Sequence, residues 1–371
     1  MGKIFKTALT GGPCGGKSQA LGYLKNRLEA LGAEVFILNE TASELMNSGI
    51  TPESVGSYEF HSRLFEKQFN KEKELTLKAQ ASKAELAVIL CDRGLLDNRA
   101  YVTREEFERY SAKFGLGENQ IRCSYDAVFH LVTAADGAEE SYNLDNSVRK
   151  ESPCQAKKLD AELLAAWTGA PHLRIIDNST GFEQKLERLY AEVKAAIGIP
   201  KPLEIERKFL IEYLDLELLK SLKTCRRVPI TQAYLNTPDE GRFRIRKRGE
   251  GKDAVFIKTV KNKINELTRV EVESYISEKE YLSYLGNKRY VDGVISKDRY
   301  CIAQNSTYYE LDVYPFFNDR ATLEIELLSE EQPYVLPDFF KVIREVTFEQ
   351  EYKNKYLAVL YGDRCDGAQF E

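Results

Sequence analysis

Apolar and polar positions follow two different rhythms along this chain. In the first half, short apolar runs alternate with longer stretches of helical spacing. Strands are predicted at 4–9, 34–38, 86–91, 127–132 and 173–176, and helices at 17–30, 53–84 and 181–197. Strands that take turns with helices argue for a parallel sheet with helices on both faces. Beyond residue 202 the period becomes two. Leu203, Ile205, Phe209 and Ile211 fall on one face of a predicted strand, and Glu204, Glu206 and Lys208 fall on the other. Between the two rhythms lies Gly198-Ile199-Pro200-Lys201-Pro202, a Pro/Gly break. The expected domains are therefore 1–198 and 203–371.

A charged strand face usually means a solvated face. Here the pattern returns, sorted by sign. Arg242, Arg244, Arg246 and Arg248 share one face, with Phe243 and Ile245 behind them. Lys258 opposes Ile257, and Glu271 and Glu273 oppose Val270 and Val272. Lys297 and Arg299 follow, then Glu310 and Asp312, then Glu324 and Glu326. A barrel would gather such charges inside and turn the apolar faces outward. Gathered charges need partners. Divalent cations suit the carboxylates Glu204, Glu206, Glu271, Glu273, Asp312, Glu324 and Glu326, because hard cations take oxygen ligands. Phosphate suits Lys208, Arg244, Arg246, Lys258, Lys297 and Arg299. A polyphosphate carrying Mg²⁺ or Mn²⁺ meets both demands. All three histidines, His61, His130 and His172, lie in the first half. Hydrolysis in the second half would therefore use water activated by a metal, with Glu204, Glu206 and Lys208 as catalytic candidates.

The first half carries its own phosphate device. Gly11-Gly12-Pro13-Cys14-Gly15-Gly16-Lys17-Ser18 follows a predicted strand and opens a predicted helix, the context that G-x-x-x-x-G-K-[ST] requires. Backbone N–H groups would cradle phosphate at the positive end of the helix. Lys17 would reach the β- and γ-phosphates of ATP or GTP, and Ser18 would ligate Mg²⁺. Asp92, just past an apolar strand, lies at the sheet's ligand-binding edge as a water-mediated metal ligand or a general base, with Arg93 beside it for phosphate. Glu40 stands on the same edge, and Arg149 and Lys150 occupy a polar loop suited to a phosphate-closing lid.

Two resemblances follow from these residues. Gly11–Ser18, Asn39-Glu40-Thr41-Ala42, Asp92-Arg93-Gly94 through Asp97 and Tyr101, and Ile176-Asp177-Asn178 with Gly181-Phe182 resemble the small P-loop ATPases related to nicotinamide riboside kinases. The second half resembles the CYTH, or triphosphate tunnel metalloenzyme, family. Its ExExK signature is met by Glu204, Glu206 and Lys208. Gln232-Ala233-Tyr234-Leu235, Arg244-Ile245-Arg246, Lys258-Thr259, Glu271 with Glu273, Lys297 with Arg299, Glu310-Leu311-Asp312, Glu324-Ile325-Glu326, and Glu345-Val346-Thr347 with Tyr352 then fit in order. This resemblance implies an antiparallel eight-stranded tunnel barrel, with Glu204, Glu206, Glu324 and Glu326 as metal ligands and the Lys/Arg set on phosphate. The two-domain layout is similar to that of the translocation-defect protein group. The expected fold class is α/β plus β-barrel.

Bulk properties trim the alternatives. The 371 residues are 43% hydrophobic and 30% charged with a net charge of −5, which suits soluble domains and gives no sign of a general nucleic-acid binder. Seven scattered cysteines without a CxxC pair point to a reducing, cytoplasmic setting and away from structural zinc. No signal peptide, transmembrane stretch or myristoylation motif is evident, position 6 being Lys6. No [NT]KxD guanine-reading motif follows a strand. Three readings stay open: a metal-dependent hydrolase of inorganic triphosphate, a nucleoside triphosphate or an RNA 5′ end; a module that binds polyphosphate or phosphoinositide under nucleotide control; and a small-metabolite kinase with a regulatory tunnel.

Overall fold

The computed structural model describes residues 2–142, 151–200, 203–263 and 268–362, with backbone alone at 203–204, 261–263 and 268–271. Contacts divide the chain into two compact units, Met1–Ile197 and the remainder from Gly198 on, the Asn305–Thr307 turn excepted.

The first unit is built on strands β1 (Lys3–Thr10), β2 (Glu34–Leu38), β3 (Leu86–Asp92), β4 (Ala127–Leu131) and β5 (Leu173–Ile176). They form a parallel sheet in the order β2-β3-β1-β4-β5. β4 is buried along its whole length and β3 from its second residue on, as expected of strands covered on both faces. Winding outward from β1 in both directions places a switch point at its carboxyl end, where open parallel sheets bind ligands.

Helices Lys17–Glu29, Ser57–Ala81, Pro153–Trp167 and Phe182–Ile197 flank this sheet. The single helix expected at 53–84 is divided. Thr51 and Ser54 form a capping box for the short helix Pro52–Val55, and Gly56 at φ 84° breaks the chain before Ser57. Helix Pro153–Trp167 was not among the expected helices, although Ser152-Pro153-Cys154-Gln155 carries a capping box with proline at the first turn.

Trp167 is fully buried, and its Nε1–H donates to Asp97 at 2.6 Å. The ring lies so close to Gly94 that a Cβ there would stand 2.4 Å from Trp167 Cζ2. Gly94→Ala is therefore expected to destabilise this unit by about 1–3 kcal/mol through overpacking, read as a lower denaturation midpoint. An unchanged midpoint would mean that the Trp167 ring yields.

The second unit contains β6 (Leu203–Glu212), β7 (Cys225–Thr237), β8 (Gly241–Arg248), β9 (Val255–Lys263), β10 (Thr268–Ile276), β11 (Val291–Gln304), β12 (Thr307–Val313), β13 (Arg320–Leu327) and β14 (Val342–Glu345). The sheet is nine-stranded, in the order β10-β9-β8-β7-β11-β12-β13-β6-β14. A short further pairing sets Thr268–Val270 against Leu203–Ile205, so hydrogen-bonded neighbours run in a ring through eight strands and β14 is appended to β6. Alternation sorts the faces. Phe209, Ile211, Leu311, Leu323 and Ile325 pack in one apolar cluster with Leu219 and Phe340. Phe243, Ile245, Ala233 and Leu235 pack in another beneath Tyr281 of helix Glu278–Gly286. The sorted charges of β6, β8 and β11–β13 take the opposite face. Helix Asn354–Tyr361 lies against β11, with Leu357 and Ala358 on Ile295 and Tyr314.

Among the described residues, no helix is long and apolar enough to cross a membrane. Cys14, Cys91, Cys123, Cys154, Cys225 and Cys301 form no disulfide among the described residues.

Candidate functional sites

The loop Gly11–Ser18 leaves the carboxyl end of β1 and enters helix Lys17–Glu29 through Gly16, which holds φ 87°. Cys14 also adopts a positive φ, 57°. Successive residues of this kind curl backbone N–H groups toward a common centre, a natural anion nest. Lys17 is buried over the loop, its Nζ donating to the carbonyls of Gly11 at 2.7 Å and Gly12 at 2.8 Å. Burial first, and then the positive charge of Arg93, push the Lys17 ammonium down to about 8.

Ser18 and Asp92 meet beside this lysine, the hydroxyl donating to Asp92 Oδ2 at 3.5 Å. Burial raises the Asp92 carboxyl against the pull of Lys17 and Arg93. A hydroxyl and a carboxylate side by side are the hard oxygen donors that suit a Mg²⁺ ion keeping most of its waters. Arg93, at φ 72°, donates to Glu40 at 2.8 Å and to Asp97 at 3.3 Å. Burial alone would raise Glu40, and Arg93 more than offsets it, so Glu40 stays below the usual carboxylate range. Arg149 and Lys150 lie outside the described residues.

The Lys17 value carries a pH prediction. Phosphate favours protonated Lys17, so nucleotide affinity should be steady below about pH 7 and fall as pH rises through about 8. The fall should approach tenfold per unit, measured as nucleotide Kd at saturating Mg²⁺ between about pH 6.5 and pH 9.5. A flat profile would contradict the assignment of Lys17 to phosphate.

The second site lies on the charged face of the second unit. Register sets Lys208 opposite Glu324, Glu324 opposite Glu310, and Glu206 opposite Glu326. Lys208 Nζ pairs with Glu324 Oε1 at 2.5 Å. Arg299 grips Asp312 with two parallel bonds of 2.7 Å each, reaches Glu324 Oε2 at 2.6 Å and also pairs with Glu310. Lys297 pairs with Asp312 and donates to Asn354 Oδ1 at 3.2 Å. Lys208, Lys297, Arg299, Asp312 and Glu324 are all at most 6% exposed.

Three buried cationic side chains thus face the buried carboxylates Asp312 and Glu324 and the partly exposed Glu310, and their proton affinities follow. Burial alone would lower Lys208, but Glu324 more than offsets it and the ammonium rises above its usual value. Burial and the neighbouring Arg299 push Lys297 down to about 8. Against the burial penalty, Lys208 and Arg299 hold Glu324 well below the usual range, and Arg299 and Lys297 lower Asp312. The cations are of the kind that pairs with phosphate oxygens, and the carboxylates of the kind that ligates hard divalent cations.

Other candidates divide. Arg244 donates to Thr259 at 3.3 Å and to Glu273 at 3.5 Å. Arg246 stands opposite Gln232 on β7. Lys258 does not join them. Register sets it opposite Ile245, and its ammonium lies 4.4 Å from the Phe243 ring centre, near Tyr284 and paired with Glu240. Thr259, the next residue, shares the face of Arg244 instead. Glu206 and Glu326 are like charges directly opposite one another, an arrangement that costs stability unless a cation is shared between them. The side chains of Glu204 and Glu271 lie outside the described residues. Among the described residues no three His, Cys, Asp or Glu side chains converge as a metal-holding group. Asp160, Tyr314 and Asn354 were not anticipated. Tyr314 donates to Asn354 Oδ1 at 2.7 Å, and Asn354 in turn accepts from Lys297. Nothing in their sequence spacing marks them.

Comparison with known families matches residues 6–185 to an AAA domain, AAA_28, and residues 202–355 to the CYTH domain. Among solved structures, the inorganic triphosphatase NE1496 is 30% identical, covering 42% of this chain and 94% of its own, with a TM-score of 0.28. HpAC1 from Hippeastrum, described with a dominant triphosphatase activity, is 17% identical over 34% of this chain and 81% of its own, with a TM-score of 0.26. A conserved hypothetical protein from Pyrococcus furiosus is 21% identical over 33% and 78%, with a TM-score of 0.25. No curated protein matches the chain.

Proposed function

We propose, for a chain that joins an AAA domain to a CYTH domain, a two-domain triphosphate-handling protein whose CYTH domain hydrolyses a triphosphate. The observation that carries this reading is the buried network of Lys208, Lys297 and Arg299 with Asp312 and Glu324, joined at its edge by the partly exposed Glu310. A site for anions alone needs only the cations. The matched carboxylates would offer a divalent ion the oxygen ligands it takes. Lys208, Arg244, Arg246, Lys297 and Arg299 would hold the phosphate chain and offset charge as the bond breaks. Glu204, Glu206 and Glu326, with support from Glu271, Glu273, Asp312 and Glu324, would hold Mg²⁺ or Mn²⁺. The bound ion would supply Lewis-acid activation of water. In the AAA domain, Lys17, Ser18 and the loop amides would hold the phosphates of ATP or GTP.

The test is a screen of tripolyphosphate, nucleoside triphosphates and 5′-triphosphorylated RNA with Mg²⁺ or Mn²⁺, read as phosphate release. Lys17→Ala removes the AAA contribution. Release that persists in this variant supports the reading, and loss of all release in it would move the activity to the phosphate loop. A second reading, phosphoryl transfer to a small acceptor in the AAA domain, is favoured by Asp92, whose raised carboxyl beside Ser18 suits a general base. It predicts ADP release that depends on an added hydroxyl-bearing acceptor and is lost in Asp92→Asn.

A further inference from the structure

A carboxylate packed against a phosphate loop calls for explanation, since it repels the ligand that the loop is shaped to bind. Asp160, in helix Pro153–Trp167, is such a group. A Cβ at Gly12 would stand 2.9 Å from both its Cβ and its Oδ1. Both carboxylate oxygens are engaged. Oδ1 accepts from the N–H of Gly12 at 2.6 Å and from the N–H of Thr133 at 3.2 Å. Oδ2 bonds His130 Nε2 at 3.0 Å. His130 is fully buried in β4, and its Nδ1 meets no hydrogen-bond partner among the described residues, so its ring is directed by Asp160. The surrounding bonds run the same way. Thr133 Oγ1 donates to the Pro13 carbonyl, and the Ala134 N–H donates to the Cys14 carbonyl at 3.2 Å. Asn178 and Lys185 brace the segment from behind through the carbonyls of Thr133 and Val132. The loop from Gly12 to Cys14 is thus stitched to the turn after β4, and Asp160 bonds both sides of the seam.

We propose that Asp160, held by His130, is a positioning residue that pre-organises the phosphate loop for a nucleotide triphosphate. It spends its charge on one backbone amide at the loop's entry and so fixes the curvature from which the later amides face the phosphates. The bonds from His130, Gly12 and Thr133 hold the carboxyl below its usual range, despite burial, so it is ionised at neutral pH. This inference rests on the reading of Gly11–Ser18 as a nucleotide site.

The test uses the full chain as wild type, Asp160→Ala and Asp160→Asn. The asparagine keeps the acceptor oxygen for Gly12 and Thr133 and presents an amide N–H to His130 Nε2, which accepts it once the ring carries its proton on Nδ1, whereas alanine offers neither. Hydrogen–deuterium exchange of peptides spanning 11–18 and 130–136 reads the loop without ligand. Calorimetric titration with MgATP and MgGTP reads its use. Asp160→Ala should exchange faster in those two peptides and little elsewhere, and bind nucleotide about tenfold or more weakly. Asp160→Asn should recover most of both. Unchanged loop exchange in the folded alanine variant would overturn the inference, as would nucleotide affinity that is insensitive to it. If Asp160→Ala does not fold, an asparagine variant with wild-type affinity and exchange upholds the hydrogen-bonding role, and one with tenfold loss and no loop loosening overturns it. If the wild type itself binds no nucleotide, the nucleotide reading fails, and the exchange result still decides whether Asp160 orders the loop.

Discussion

Replacing Glu324 by alanine is expected to destabilise the CYTH domain by about 3–5 kcal/mol, the range seen when one partner of a buried ion pair is removed. Glu324 is 6% exposed and bonds both Lys208 and Arg299. Its loss leaves Lys208 without its carboxylate and Arg299 with only Asp312 and Glu310. Glu324→Gln keeps the shape and one of the two acceptor oxygens, so it should cost less than alanine, while both variants should lose triphosphate hydrolysis by about a hundredfold or more. Denaturation midpoints and phosphate release measure the two effects separately. A loss below about 1 kcal/mol for alanine would mean that water reaches the cluster and screens it.

Acid should act on the same network. Glu324 and Asp312 both have depressed folded-state values, so they add stability that is full above the ordinary carboxylate range and is lost progressively as pH falls from that range through their lower folded-state values, read as a falling denaturation midpoint.

Lys17→Ala carries the second large effect. Lys17 is a buried cation over the phosphate loop, and its removal should weaken nucleotide binding by about a hundredfold, the scale of a lost charge-assisted contact to phosphate. Stability should move the other way. Folding lowers the Lys17 value to about 8, so holding the ammonium buried at neutral pH opposes folding, and alanine should keep or raise the melting temperature. Weaker binding together with equal or greater stability is a combination that a merely structural lysine does not produce. A variant that binds nucleotide as wild type does would remove Lys17 from the site.

How much of this was legible in the sequence depends on what each residue advertises. The phosphate loop announces itself, because glycines, lysine and serine must stand at fixed spacing between a strand and a helix. The sorted charges of β6, β8, β12 and β13 were legible because period two is a local property. β7 carries no block of one sign, and β14 is only four residues long, so alternation did not count them among the charged staves. Lys258 marks a sharper limit. Alternation sets Lys258 and Ile257 on opposite faces but does not say which of the two faces Arg244 shares. Only the β8–β9 register, with Ile257 opposite Arg246 and Lys258 opposite Ile245, decides it. Asp160 was invisible for a related reason. Its partners Gly12, Thr133 and His130 are far away in sequence, and a lone aspartate on a helix has no pattern of its own.

The central claim is that the charged face of the CYTH domain is a metal-dependent triphosphate site. Phosphate release from tripolyphosphate with Mg²⁺ or Mn²⁺, compared between wild type and Glu206→Gln, tests it most directly. Glu206 faces Glu326 across β6 and β13 and acts on Lys208 after Glu324, which pairs with Lys208 directly, so Glu206→Gln should cost the fold less than loss of Glu324. Wild type should release phosphate, a chelator should stop it, and Glu206→Gln should lower it by about a hundredfold. No release with any divalent ion, or release that Glu206→Gln leaves intact, would contradict the claim.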